Sequence, residues 1–257
     1  MQVGTRSVTP GAHVPGHYAA PGMKPILAIE QDPTLPGLGL LGRVVRATGL
    51  PLVSVHAWEG DLDGLRARDF GGIVPLGGSM QSWEEQRLPF LARERELLRE
   101  AVDEGVPVLG ICLGGQVLAR ALGAEARVAD RPEVGWVQVA PTPEAAADPL
   151  LSHLRDPVGV YQWHLDVFDL PEGAVRLAWS EQSENQAFRY GERAWGLQFH
   201  PEVDLALYRG WLENWKGAPE RMGLDPAALE ASVAAGSPDF TEPLFEAFCS
   251  VCAAAAR

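Results

Sequence analysis

Residues 107–124 read VPVLGICLGGQVLARALG. A short apolar run ends at Cys112, glycines lie on both sides of this cysteine, and a helix-like pattern starts immediately after it. The run VPVLGI is typical of a buried strand, and GGQVLARALG is typical of a helix. A strand followed at once by a helix predicts one unit of an α/β fold, with the thiol of Cys112 at the junction.

The segments before this junction alternate in the same way. We predict strands over 25–30, 51–58 and 71–78, and helices over 37–50 and 89–105. Repeated β-α-β order predicts a mostly parallel open sheet with helices on both faces. Beyond residue 124 the pattern changes, because strand-like segments follow one another with few helices between them. We expect mixed or antiparallel pairing for these segments, which are 125–130, 135–141, 158–164, 175–182, 185–191 and 194–200.

The two ends of the chain differ from its centre. Residues 1–22 are rich in Gly and Pro and lack the apolar run of a secretory signal, so we expect an irregular N-terminal extension. Regular structure is expected from Met23, with one domain over 23–257. Within that domain, a helical C-terminal segment is predicted over about 204–257.

Composition excludes some classes of function. The formal net charge of −13 disfavours nucleic acid and anionic membranes as partners. The sequence contains no stretch of about 18 apolar residues, so we expect no membrane span. The three cysteines, Cys112, Cys249 and Cys252, are too few for a disulfide framework and indicate a reducing compartment, so we expect a cytoplasmic protein. Cys249 and Cys252 form C-x-x-C without a second pair, which favours small buried residues over a metal site.

Cys112 has the surroundings of a nucleophile. Ligands gather at the carboxyl ends of strands in an open parallel sheet, and a helix N-terminus favours thiolate over thiol. Gly110 and Gly114 flank the cysteine as G-x-C-x-G, the cysteine form of a strained nucleophile elbow. A buried structural cysteine at a tight turn is the alternative interpretation.

A nucleophilic thiol needs a base and a group that orients the base. His200 and Glu202 are separated by one residue, and residues i and i+2 of an extended segment point to the same side. Pro201 favours extended geometry at His200. The alternative is an exposed strand end with a solvated His and Glu.

A third element lies at 75–80, PLGGSM. Gly77 and Gly78 follow a strand and allow backbone N–H groups to approach a ligand closely. Together with the N–H of Leu113 they could form an oxyanion hole. A simple loop is the alternative. The longer segment 77–89 is polar, and we expect it to be mobile and to gate the site.

Three motifs together resemble the class I glutamine amidotransferase family: LGGS at 76–79, GICLGGQ at 110–116 and GLQFHPEV at 196–203. Their order agrees with the family, and the resemblance covers roughly 26–203. It implies a flavodoxin-like α/β fold and an enzyme that hydrolyses the side-chain amide of glutamine without a metal or organic cofactor. It further implies a catalytic triad of Cys112, His200 and Glu202, and a glutamine contact at Gln116.

A weaker resemblance concerns 161–174, YQWHLDVFDLPEGA. It is similar to the family stretch S-H-G-D, which binds the amino-acid end of glutamine through its backbone. Trp163 replaces the small residue and Leu165 replaces Gly, while His164 and Asp166 remain. Trp163 and His164 are therefore candidate substrate-binding residues, and the larger side chains could reshape the pocket for another γ-glutamyl compound. The alternative is core packing, with Trp163 under the sheet.

Three functions remain open at this stage. The first is a glutaminase that supplies ammonia to a separate synthetase or to a bound acceptor enzyme. The second is a stand-alone γ-glutamyl hydrolase or another cysteine hydrolase of the same fold. The third is an inactive amidotransferase-like scaffold that binds a partner. No Walker-type phosphate loop is present, so we expect no ATP-dependent synthetase half in this sequence.

Overall fold

A computed structural model of the protein describes residues 23–221, 223–235 and 239–255. The predicted extension over 1–22 lies outside the described residues.

The first half of the chain builds a parallel sheet. Its strands are β1 (Ile26–Glu30), β2 (Leu52–His56), β3 (Gly72–Pro75) and β4 (Val108–Ile111). All four are parallel in the order β2-β1-β3-β4, as the repeated β-α-β pattern predicts. Every residue of β1, β3 and β4 is buried, because layers of helices cover both faces of the sheet.

Helix α1 (Gly39–Thr48) connects β1 to β2, α2 (Phe90–Asp103) connects β3 to β4, and α3 (Leu113–Ala121) follows β4. Residues of α1 belong to one hydrophobic cluster, and residues of α2 and α3 belong to another. Helix α1 ends at Gly49, which has φ 77° and so adopts the left-handed conformation that glycine favours at a helix end.

The second half of the chain adds five strands, β5 (Ala126–Pro141), β6 (Val158–Phe168), β7 (Val175–Trp179), β8 (Ala187–Tyr190) and β9 (Ala194–Leu197). Strand β9 is parallel to β4, and β8, β7, β5 and β6 then follow with antiparallel pairing. The prediction of mixed pairing beyond residue 124 is confirmed.

Strand β5 differs from its prediction in one respect. The segments 125–130 and 135–141 were expected as separate strands, and they form one continuous strand along β6. The register shifts between Val128 and Glu133. An irregularity of this kind bends a strand without ending it, so the polar residues between the two apolar segments do not interrupt the pairing.

Four helices follow the sheet: α4 (Leu205–Asn214), α5 (Ala218–Arg221), α6 (Pro226–Ala234) and α7 (Thr241–Ala255). Helices α4 and α6 pack together beside β6, and α7 packs against α1. Cys249 and Cys252 lie buried on α7, where burial raises the pKa of Cys249 to about 11. None of the helices in the described part of the chain is long and apolar enough to span a bilayer.

Helix α2 buries one unexpected residue. Its inner face consists of Leu91, Leu97, Leu98 and Ala101, and Glu94 lies among them with no exposed surface. Neither carboxyl oxygen of Glu94 has a hydrogen-bond partner among the described residues. Burial raises the pKa of this carboxyl group to about 8, so it carries a proton at neutral pH.

Candidate active site

Cys112 lies at the turn between β4 and α3. Its φ of 52° and ψ of −110° make it the one non-glycine residue in the described part of the chain with positive φ. Such a backbone conformation costs about 1–3 kcal/mol and persists only where its surroundings enforce it. The N–H of Cys112 donates to the carbonyl oxygen of Leu197 on β9 at 2.8 Å, which ties the turn to the neighbouring strand.

The flanking glycines allow this turn because backbone atoms crowd it. A Cβ atom on Gly110 would lie 2.6 Å from the carbonyl oxygen of Gly114. A Cβ atom on Gly114 would lie 2.1 Å from the carbonyl oxygen of Pro75, at the end of β3. No real Cβ tolerates either distance, so the G-x-C-x-G pattern follows from close packing of β3, β4 and α3.

His200 and Glu202 form a buried pair beside Cys112. His200 Nδ1 and Glu202 Oε1 are 2.7 Å apart, and the two residues are 4% and 2% exposed. Burial by itself lowers the pKa of His200, but the carboxylate of Glu202 and the side chain of Cys112, through charge and hydrogen bonding, outweigh burial and raise this pKa to about 10. His200 and Glu202 are therefore not the solvated pair at an exposed strand end that the sequence left open as an alternative.

Gly77 and Gly78 lie against the same group of residues. A Cβ atom on Gly77 would be 2.8 Å from Cε1 of His200 and 3.7 Å from Cβ of Cys112. The backbone N–H groups of Gly78 and Leu113 have no hydrogen-bond acceptor within the described part of the chain. Both residues line the cavity above Cys112, so these N–H groups are available to a ligand.

Hydrogen bonds tether the segment 77–89 to the sheet, and its mobility stays a prediction. The N–H of Ser79 donates to Oδ2 of Asp32 at 2.9 Å, and the Ser79 hydroxyl donates to the same oxygen. Burial favours a higher pKa for Asp32, but hydrogen bonds from Ser79 and Thr34 lower it below its ordinary value. Further along, Arg120 donates to the carbonyl oxygen of Ser82. These contacts hold the segment close to the sheet.

A cavity of about 370 Å³ opens above Cys112. Much of its wall is apolar or aromatic, and no Lys or Arg of the described residues contributes to the lining. Its polar side chains include Gln81, Gln116 and Asp166, and its aromatic ones are Trp163, Trp211 and Trp215.

The predicted substrate contacts are in or next to this cavity. Gln116 is buried, and its Nε2 donates to the carbonyl oxygen of Asp166 at 3.1 Å. Trp163 lines the cavity and meets Trp215 edge to face, with ring centroids 6.1 Å apart. It does not pack under the sheet, and its carbonyl oxygen is 4.0 Å from Sγ of Cys112.

His164 has both ring nitrogens occupied by the protein. Its Nε2 is 2.9 Å from Oε2 of Glu133, and its Nδ1 is 3.0 Å from the carbonyl oxygen of Asp166. The ring therefore fixes the backbone that borders the cavity and has no free nitrogen for a substrate. Only the backbone of His164 is therefore available for a contact with a substrate.

Sequence reasoning missed Glu133, the partner of His164. This buried carboxylate also accepts hydrogen bonds from the Ser180 hydroxyl and from Nε2 of Gln186, each at 2.6 Å. Its local sequence, DRPEV, reads as polar and exposed. The pairing of β5 with β6 decides its burial, and no local pattern reports that pairing.

Three further residues were also missed. Gln198 Nε2 lies 3.9 Å from Sγ of Cys112, and its position two residues before His200 on one extended segment is a signal that could have identified it. Trp211 and Trp215 come from α4 and its C-terminal end, and helical periodicity alone does not distinguish a cavity wall from core.

Comparison with known proteins agrees with this fold. The family model for glutamine amidotransferase class-I matches residues 43–215, and the chain belongs to this family. The resemblance carried by the three motifs is thereby confirmed, and with it the flavodoxin-like α/β fold that the resemblance implies.

Individual relatives support the same assignment. The crystal structure of a glutamine amidotransferase from Thermotoga maritima superposes with a TM-score of 0.82 at 31% identity, over 89% of this chain and 98% of that one. A glutamine amidotransferase from Methylobacillus flagellatus gives a TM-score of 0.76 at 27% identity, over 89% and 95% of the two chains.

Two curated relatives are similar over part of their length. The glutamine amidotransferase-like protein YfeJ of Salmonella typhimurium is 32% identical over 58% of this chain and 63% of its own. The glutamine-hydrolysing GMP synthase of Xanthomonas campestris is 33% identical over 65% of this chain and 32% of its own. The match thus covers less than two thirds of the length of either relative.

Proposed function

We propose that the protein hydrolyses the side-chain amide of glutamine, with Cys112 as nucleophile, and releases ammonia for an acceptor. One observation carries the proposal: a strained cysteine, a buried His200–Glu202 pair and two unpaired N–H groups border one cavity. The strain at Cys112 disfavours the inactive-scaffold alternative, because a structural cysteine gains nothing from a left-handed backbone.

The first half of the reaction forms a thioester. His200, whose pKa is raised, takes the proton of the Cys112 thiol and is then an imidazolium. The thiolate attacks the amide carbon, and the N–H groups of Gly78 and Leu113 stabilise the oxyanion, at about 3–4 kcal/mol for each donor. His200 gives its proton to the leaving nitrogen, and ammonia departs.

The second half releases glutamate. Neutral His200 takes a proton from water, the resulting hydroxide attacks the γ-glutamyl thioester, and the carbon–sulfur bond breaks. Glu202 orients the imidazole and stabilises its charged form throughout. The balance is one glutamine and one water consumed for one glutamate and one ammonia.

The fate of the ammonia is proposed from relatives. The GMP synthase of X. campestris, which this chain matches over about a third of its length, is named for glutamine hydrolysis. We propose a synthetase-type acceptor here as well, either attached to the chain or separate from it. With a net charge of −13, this proposal includes neither a nucleic acid nor an anionic membrane as partner.

A stand-alone γ-glutamyl hydrolase is the second candidate. One observation favours it: the cavity carries Trp163 and Leu165 where the family stretch has small residues, and much of its wall is apolar. Glutamine by itself offers little apolar surface to such a wall.

Glutamate release from glutamine tests the proposal. Cys112→Ala is expected to abolish turnover, because the nucleophile is removed while a small residue still fits the turn. Cys249→Ala is the matched control, since its thiol is buried on α7 away from the cavity, and it should keep turnover within about twofold of the parent. Retained activity in Cys112→Ala contradicts the assignment of the nucleophile.

The base and its orienting group are tested in the same assay. His200→Asn should be nearly as damaging as loss of the thiol, because it removes both base and acid. Glu202→Gln should leave more residual activity. If Glu202→Gln were the most damaging of the three substitutions, the assigned roles would be wrong.

A further inference from the structure

The cavity above Cys112 has a polar side. Nε2 of Gln81 is 3.4 Å from Oδ1 of Asp166, and Nε2 of Gln116 donates to the backbone carbonyl of Asp166 at 3.1 Å. These three residues therefore lie together. Asp166 is also the one carboxylate that lines the cavity among the described residues.

Another part of the lining is a tryptophan side, formed by Trp163, Trp211 and Trp215. Trp163 and Trp215 meet edge to face, at an interplanar angle of 86°. Nε1 of Trp215 donates to the Thr34 hydroxyl at 2.7 Å, so the position of this ring is fixed. The tryptophan side is thus an apolar surface in which a hydrogen bond positions Trp215.

The position of His200 indicates which part of a substrate faces the polar side of the cavity and which part faces the tryptophan side. The leaving nitrogen has to lie next to His200, because this residue supplies its proton. The ring of Trp211 contacts His200, with centroids 5.4 Å apart and an interplanar angle of 73°. A leaving nitrogen next to His200 is thus also next to Trp211, and Asp166 is the lining carboxylate that remains for the ammonium of the amino-acid end.

The tryptophan side is too large and too apolar for the leaving group of glutamine. Ammonia has no apolar surface, whereas three indole rings are suited to bury a hydrocarbon or aromatic group. A cationic tail is less suitable, because the lining carboxylate lies on the polar side, where Gln81 contacts it.

We infer that the preferred substrate is a γ-glutamyl amide whose nitrogen carries an apolar aliphatic or aromatic group. This inference rests on the thioester chemistry of the proposed function and on its second candidate, the γ-glutamyl hydrolase, since the leaving group is then an amine and not ammonia. The Cys112 thiolate forms the carbon–sulfur bond, the carbon–nitrogen bond breaks, and the proton of His200 goes to the departing amine. Water then cleaves the thioester to give glutamate, so the products are glutamate and an apolar primary amine.

A matched set of amides tests the inference: L-glutamine, its N-benzyl derivative and its N-(4-aminobutyl) derivative. We expect kcat/KM for the benzyl amide to exceed that for glutamine at least about tenfold, the ratio that roughly 1.4 kcal/mol produces. It should also exceed that for the cationic aminobutyl amide. Equal or lower values for the benzyl amide overturn the inference.

Substitution of Trp215 tests the location of the subsite. Trp215→Ala should lower the benzyl-to-glutamine ratio of kcat/KM by about tenfold, and Trp215→Phe should keep most of it, because an aromatic surface remains. Trp179→Ala is the matched control, since Trp179 is 46% exposed on β7 and does not line the cavity. A ratio that does not respond to Trp215→Ala contradicts this location.

Binding to the Cys112→Ala protein separates the inference from the proposed function. Titration calorimetry with this variant requires no turnover, and the benzyl amide should bind at least about tenfold more tightly than glutamine. Tighter binding without hydrolysis by the parent protein would refute the proposed function and leave the specificity intact. Glutamine turnover without preference for the benzyl amide would refute the specificity alone.

Discussion

Glu94 provides a test of the fold that is independent of the reaction. The folded protein keeps this carboxyl group protonated up to a pH of about 8, whereas the unfolded chain releases the proton near the ordinary pKa of 4.5. Between these two values the unfolded state binds fewer protons, so raising the pH favours unfolding. The stabilising effect of the proton is complete below pH 4.5 and is lost as the pH rises through about 8.

The size of the effect follows from the two pKa values. Each pH unit across this window costs about 1.4 kcal/mol, so the loss reaches roughly 3 kcal/mol at pH 7 and between 4 and 5 kcal/mol at pH 9. This is a large share of the 5–15 kcal/mol that typically stabilises a protein. Glu94→Gln keeps the shape of the side chain and cannot ionise, so the variant should lack this loss.

Urea unfolding, followed by circular dichroism at pH 5, 7 and 9, measures the difference. The stability of Glu94→Gln relative to the parent protein should rise by about 4 kcal/mol from pH 5 to pH 9. Glu96→Gln is the matched control on the same helix, because the Glu96 side chain is 70% exposed, and its relative stability should stay within about 0.5 kcal/mol. If the difference in unfolding free energy between Glu94→Gln and the parent protein does not depend on pH, the raised pKa of Glu94 is refuted.

Other substitutions have equally definite outcomes. We expect kcat/KM to decline above a pH near 10, where His200 loses its proton. Glu202→Gln should lower this pH by about one unit or more, because the carboxylate helps to raise the pKa of the imidazole; an unchanged pH profile contradicts this. Gly77→Ala should reduce turnover roughly a hundredfold, because its Cβ would displace the buried imidazole, whereas Gly210→Ala, with open space around it, should not. Glu133→Ala should destabilise the protein by about 3–5 kcal/mol in urea unfolding, because it leaves buried partners unpaired. Asp103→Ala removes an exposed ion pair and should cost less than about 1 kcal/mol.

The sequence was sufficient to predict features that depend on local patterns. Apolar runs bounded by Gly or Pro predicted the strands of the parallel sheet, and the G-x-C-x-G pattern predicted the sharp turn at Cys112. His200 and Glu202 were predicted as a pair because two residues on one extended segment point to the same side. These features depend on chain neighbours, and chain neighbours are visible in a sequence.

Long-range packing decided the remaining features. The continuity of β5, the burial of Glu133 and the tether between Asp32 and Ser79 each depend on segments far apart in the chain. Local propensity carries no information about which distant strand or loop will cover a given side chain.

The character of the cavity illustrates the same division. From the sequence, Trp163 could be core or cavity wall, and Trp211 and Trp215 belonged to the predicted helical segment over about 204–257. Trp211 contacts His200, and Trp163 meets Trp215, because α4 packs beside β6, which the tertiary structure alone establishes. The residues that define the chemistry come from compact motifs whose geometry is local. The residues that we propose select the substrate come from separate elements, because a concave surface requires several elements to meet.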